Sequence, residues 1–134
     1  MRKRTFLSWG VVALAFTAFF MAAPVAAQDT IKIGFFAPIA GPAAADGMSA
    51  KNAVELALKE VNEAGGIHGK KVDLIVYDDR LKAEEAVAIA NRLIERDKVV
   101  GVVSGSYSGP TRVVAPIFQK AGMPMVAGYA VHPD

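Results

Sequence analysis

The residues best suited to chemistry lie in one stretch, Ser104-Gly105-Ser106-Tyr107-Ser108-Gly109-Pro110-Thr111. It offers three serine hydroxyls, and its glycines let a ligand approach the backbone closely. A helix pattern follows, so free N–H groups and the helix dipole would favour an anion there. A carboxylate is a natural guest, with each charge-assisted hydrogen bond contributing about 1.5–3 kcal/mol. Spacing alone does not separate this reading from simple helix capping by Ser108. Enzymatic readings are weaker. Gly105–Gly109 has tyrosine at its centre and is no nucleophile elbow. No lysine follows the glycines as a phosphate-binding loop requires. Asp78-Asp79 end a strand pattern, where paired acids cap or are solvated more often than they hold a metal. His68 sits in a Gly-Ile-His-Gly turn, and His132 stands before Pro133 in the loop after the fourth strand pattern. No acid–base pair or activated nucleophile can be assembled, so no catalytic residue, metal or cofactor is expected.

The elements that must position this stretch alternate. Ile31–Ala37 is rich in β-branched and aromatic residues and is stopped by Pro38 and Gly41-Pro42, which predicts a strand. Ala50, Val54, Ala57, Leu58 and Val61 then recur at helical spacing up to Gly65-Gly66. Val72–Tyr77 predicts a second strand, Lys82–Arg96 a second helix, and the apolar run Val99–Val103 a strand covered on both faces. Ser104–Pro110 is expected as a loop, Thr111–Ala121 as a third helix, and Met125-Val126-Ala127 as the start of a fourth strand. This β-α-β-α-β-α-β order predicts an α/β fold, an open parallel sheet with helices on both faces and strand order 2-1-3-4. Ligands in such sheets sit beyond the carboxyl ends of the strands, where the strand order reverses. That point falls between the first and third strands, bounded by the loops Pro38–Asp46 and Ser104–Pro110.

The chain of 134 residues begins with a basic Arg2-Lys3-Arg4, an apolar run from Thr5 to Ala23, and Pro24-Val25-Ala26-Ala27. Small residues at Val25 and Ala27 fit a signal-peptidase site, so residues 1–27 are expected as a cleaved leader and residues 28–134 as one domain. A membrane anchor would need a somewhat longer apolar run, about 20 residues. Removing the leader from fifteen basic side chains leaves twelve against thirteen acidic ones. The remainder then carries no basic excess to attract nucleic acid. Absence of cysteine excludes disulfides and thiolate chemistry, which suits a periplasmic protein whose core needs no staples.

Several blocks in combination resemble the leucine/isoleucine/valine-binding proteins of ABC importers. They are Gly41-Pro42-Ala43-Ala44-Ala45-Asp46-Gly47, Asn62-Glu63-Ala64-Gly65-Gly66-Ile67-His68-Gly69, Tyr77-Asp78-Asp79, Gly105–Thr111 and Ala115–Pro124. The resemblance implies the first lobe of a type I periplasmic binding fold, binding without chemistry, a monomer, and delivery to an inner-membrane ABC permease. It also implies that Ser108 gives its hydroxyl to the solute's head group, with Gly109 beside it. The loop Tyr129–Val131 would give backbone groups, and the position of Asp46 would wall the solute's side chain. Two departures stand out. Val131 replaces the threonine expected there, and Asp46 replaces an aromatic. Both point away from a strictly branched-chain solute and leave other small carboxylates open, including aromatic acids that Tyr107 and Tyr129 could stack on.

A secreted ligand-sensing domain of a signalling receptor is the alternative reading, and a secreted α/β enzyme a more distant one. The family has two lobes closing on a hinge, whereas the fourth strand here is the last element. A single lobe cannot exclude water from a solute. The 134-residue chain alone is therefore expected to bind any solute weakly. Isothermal titration returning a micromolar Kd, about −8 kcal/mol, would contradict this.

Overall fold

A computed structural model describes residues 30–132; residues 1–27, expected as a cleaved leader, lie outside the described residues. The order is β1 (Ile31–Ala37), α1 (Ala44–Glu63), β2 (Val72–Asp78), α2 (Ala83–Arg92), a π-helical turn (Leu93–Asp97), β3 (Gly101–Ser104), α3 (Ser108–Lys120) and β4 (Met125–Ala127). All pairings are parallel, in the order β2-β1-β3-β4. This is the expected topology.

Register explains the packing. Gly34 pairs with Val102 and Phe35 with Val103, so successive β1 residues face opposite sides. On one side Phe36 and Val102 meet Ala86, Ile89 and Leu93 of α2 and its π turn, and Val114 and Phe118 of α3, in a single buried cluster. On the other side, among the described residues, α1 is the one helix. Its Val54, Leu58 and Val61 leave an open apolar groove of about 460 Å³ against Ile33, Val72 and Val103.

Element boundaries differ from expectation at three places. Helix α1 starts at Ala44, six residues before the first apolar mark, because the Ala-rich segment after the Gly41 turn favours helix without showing periodicity. This moves Asp46 from the loop into the first helical turn. Helix α3 likewise starts at Ser108, since Pro110 needs no N–H partner in a first turn. Helix α2 runs into a π turn closed by Val99 N–H to Leu93 O at 3.2 Å, with Lys98 left-handed at φ 52°, so β3 begins at Gly101 and Ser104 ends the strand. Around this turn the Tyr77 hydroxyl donates to Asp97 Oδ2 at 2.8 Å, and the Arg92 guanidinium lies 5.1 Å from the Tyr77 ring centre.

The α1–β2 connection accounts for the Asn-x-x-Gly-Gly-Ile block. The Asn62 side chain donates Nδ2–H to Val72 O at 2.9 Å and accepts from Val72 N–H at 2.8 Å, tying the end of α1 to the start of β2. Gly66 has φ 75°, and a Cβ there would lie 2.0 Å from Lys70 O, so no other residue fits. Asn62→Ala removes both partners of a buried residue's main chain. It should lower stability by about 2 kcal/mol, and Asn62→Asp, which keeps the acceptor, by less. Urea unfolding followed by circular dichroism measures both.

Candidate functional site

The carboxyl edge of the sheet carries the loop after β1, the turn after β2, the loop between β3 and α3, and the segment after β4. Each is held from below by main-chain bonds. Gly105 N–H donates to Phe36 O, Asp79 N–H to Ala37 O, and Gly128 N–H to Ser104 O. Helix α1 sits down hard on this edge. A Cβ at Gly47 would lie 2.2 Å from Pro38 O, so only glycine lets the first turn of α1 approach the end of β1 this closely.

Two of the three serines named above turn inward. Ser104 and Ser106 are fully buried. The Ser104 hydroxyl bonds Thr111 Oγ1 at 2.7 Å and accepts from Ser106 N–H at 3.3 Å, while Thr111 Oγ1 reaches Ser106 O at 3.3 Å. This buried ladder fixes the loop to the start of α3. Ser108 is left facing the edge as the first residue of α3. It does not cap its own helix: Tyr107 occupies the cap position without a side-chain bond. Instead Ser108 Oγ accepts from His132 N–H at 3.2 Å, which draws the segment after β4 over the start of α3.

The remaining residues singled out from the sequence converge here. The Tyr107 hydroxyl donates to the Asp46 carboxylate, joining α3's entry to the first turn of α1 across sixty-one residues of chain. Tyr129 stands edge-on to Tyr107, with ring centres 6.4 Å apart and planes at 72°. Gly109 is exposed, and a Cβ there would meet nothing within 4 Å. Val131 is 87% exposed, so its side chain makes no wall. Among the described residues no group of His, Asp and Glu could hold a metal, and no helix is long and apolar enough to cross a membrane.

Electrostatics single out two groups. The bond to Asp46 pushes the Tyr107 hydroxyl above its ordinary pKa, because losing its proton would set two negative charges side by side. Burial pushes the Asp79 carboxyl up, and the Ser106 hydroxyl facing it partly offsets this. Asp79 Oδ1 accepts from Leu81 N–H at 2.9 Å, but neither Oδ2 nor Ser106 Oγ completes a bond of normal geometry. Paired acids at a strand end are expected to cap or to be solvated, and Asp79 is instead fully buried. A strand end gives no sign of this burial in the sequence.

The sequence profile of the family described as periplasmic binding protein matches residues 30–134. The chain belongs to this family. It is 37% identical over 134 residues to the Leu/Ile/Val-binding protein BraC3 of Rhizobium johnstonii, covering all of this chain and 34% of that protein. It is 33% identical over 108 residues to the leucine-, isoleucine-, valine-, threonine- and alanine-binding protein of Pseudomonas aeruginosa, covering 81% of this chain and 29% of that protein. Among solved structures, the branched-chain amino acid transporter substrate-binding protein LivJ of Streptococcus pneumoniae, in complex with isoleucine, superposes with a TM-score of 0.74. The identity is 35%, over 78% of this chain and 30% of that one. A solute-binding protein of an ABC transporter from Rhodopseudomonas palustris, in complex with 3,4-dihydroxybenzoic acid, superposes with a TM-score of 0.70. There the identity is 28%, over 77% of this chain and 28% of that one. The chain thus spans about a third of the length of these relatives, and its sheet is that of the type I periplasmic binding fold.

The Asp46–Tyr107 bond is open to a direct check. Asp46→Asn removes the neighbouring negative charge, so the Tyr107 hydroxyl should ionise at lower pH, nearer its ordinary 10.0. Ultraviolet difference titration of the parent against this variant should show one of the three tyrosines moving down. Superimposable curves would mean that the bond does not persist in solution.

Proposed function

We propose that this chain belongs to the extracytoplasmic solute-binding component of an ABC importer, and that its carboxyl edge receives the carboxylate of an amino acid or a related small acid. The observation that carries this reading is the convergence at one edge of the outward-facing Ser108 hydroxyl, the open backbone at Gly109, and the first turns of α1 and α3. The ligands held by two of the similar structures, isoleucine in one and 3,4-dihydroxybenzoic acid in the other, share a carboxylate. The two tyrosines and Asp46 form the wall beside it, with Val131 pointing away. This wall is polar and aromatic rather than aliphatic, which favours an aromatic or polar acid over a branched aliphatic side chain. We read residues 1–27 as a leader removed after Ala27, so that the binding protein acts in the periplasm and hands its solute to an inner-membrane permease.

The test is isothermal titration of the polypeptide encoded by the complete reading frame, including any continuation past Asp134. Leucine, isoleucine, valine, benzoate and hydroxybenzoates are each compared with their methyl esters. At least one free acid should bind with a micromolar Kd, and its ester at least about 100-fold more weakly, as expected when two charge-assisted bonds of about 1.5–3 kcal/mol are lost. An ester that binds as well as its acid would remove the carboxylate from the reading.

A further inference from the structure

We infer that Asp78 and Asp79 act as a bracket that positions the two binding loops, although neither touches the solute. The inference rests on the binding reading above. Consecutive residues at the end of a strand point to opposite faces, so one Asp-Asp dipeptide can reach two loops at once. Asp78 Oδ1 accepts from Ile39 N–H at 3.2 Å, in the loop after β1, and from Arg80 N–H at 2.9 Å. Asp79 Oδ1 accepts from Leu81 N–H at 2.9 Å, its Oδ2 is buried without a bond of normal geometry, and the carboxyl neighbours the equally buried Ser106 hydroxyl, in the loop that carries Tyr107 and Ser108.

The turn between is shaped for this. Arg80 and Leu81 are both left-handed, at φ 52° and 60°, a conformation that side chains other than glycine adopt only when the surroundings hold them there. Lys82 N–H closes the turn on Asp79 O at 2.8 Å, and Asp79 N–H is fixed to Ala37 O at 3.2 Å. The two carboxylates therefore sit on a braced turn at the outer side of β1, with Asp78 bonded to the loop after β1 and Asp79 directed past the end of β1 at the loop after β3. A fully buried carboxylate with one unfilled oxygen is a costly group to keep for turn formation alone. Holding the Ser106–Ser108 segment at a set height over α1 gives it a use.

The test compares Asp78→Ala, Asp79→Ala, Asp78→Asn and Asp79→Asn in the product of the complete reading frame. Asparagine removes the charge but keeps one accepting oxygen for the turn N–H, and at position 79 its NH2 can donate to the Ser106 hydroxyl, so it separates positioning from direct charge recognition. Each alanine variant should raise the Kd for the best-binding acid about tenfold, while each asparagine variant stays within about threefold of the parent. Asparagine variants as impaired as alanine, or folded alanine variants with the parent's Kd, would overturn the bracket.

Amide hydrogen exchange on the 134-residue chain gives a readout that needs no solute. Asp78→Ala should speed exchange at Ile39, and Asp79→Ala should speed it in the 105–109 peptide, each by at least about tenfold and with the core peptides of α2 unchanged. Unchanged loop protection overturns the proposal even if no acid binds. Should an alanine variant fail to fold, Ser106→Ala takes its place, with faster exchange in the 105–109 peptide as the supporting result and parental exchange as the refuting one.

Discussion

Phe35 and Phe36 stand side by side in β1, point to opposite faces of the sheet, and are both almost wholly out of water. Nearly every other feature takes its place from them. Phe36 meets the α2–α3 layer, and Phe35 lies beneath the Gly105 turn and beside Ala50 of α1. Because β1 is hydrogen-bonded on both edges, a slip of one residue would exchange the two rings' faces and bring β2 and β3 with it. The central strand therefore fixes both layers at once. Its carboxyl end, at Ala37 and Pro38, becomes the floor on which the edge loops are built.

That edge is assembled by polar groups of two kinds. The Ser104–Thr111–Ser106 ladder and the Asp78-Asp79 turn are internal, and they set where the loops stand. Ser108, Tyr107, Tyr129 and Asp46 are at the surface, and they define what can be met there. BraC3 of Rhizobium johnstonii is named for three aliphatic amino acids, whereas a tyrosine–aspartate pair here presents hydrogen-bonding atoms.

Much of this was legible in the sequence. Strand order and parallel pairing follow from alternating periodicities and short connections, and these survive errors of several residues at element ends. The exact starts of α1 and α3 were not legible, because Ala43–Gly47 and Ser108–Pro110 carry no apolar repeat to mark them. The π turn was hidden for the related reason that Leu93–Asp97 reads as ordinary helix until Lys98 turns left-handed. Within the serine-rich stretch, composition showed three hydroxyls but could not say which faced out. That depends on the phase between β3 and α3, and only Ser108 emerges.

The uneven coverage of the sheet bears on how heat acts on this chain. Unfolding raises the heat capacity by about 12–15 cal/mol/K per residue in ordinary domains, chiefly because apolar surface becomes wet. Along the groove beside α1, the half-buried Ile33, Val54, Leu58, Val61 and Val103 already line open space in the native fold. Surface that is wet before and after unfolding contributes nothing to that increment. The described fold on its own thus has a stability curve flatter than its length implies, with cold and heat each acting over a broader range. Anything that came to lie along α1 would steepen the curve as much as raise it.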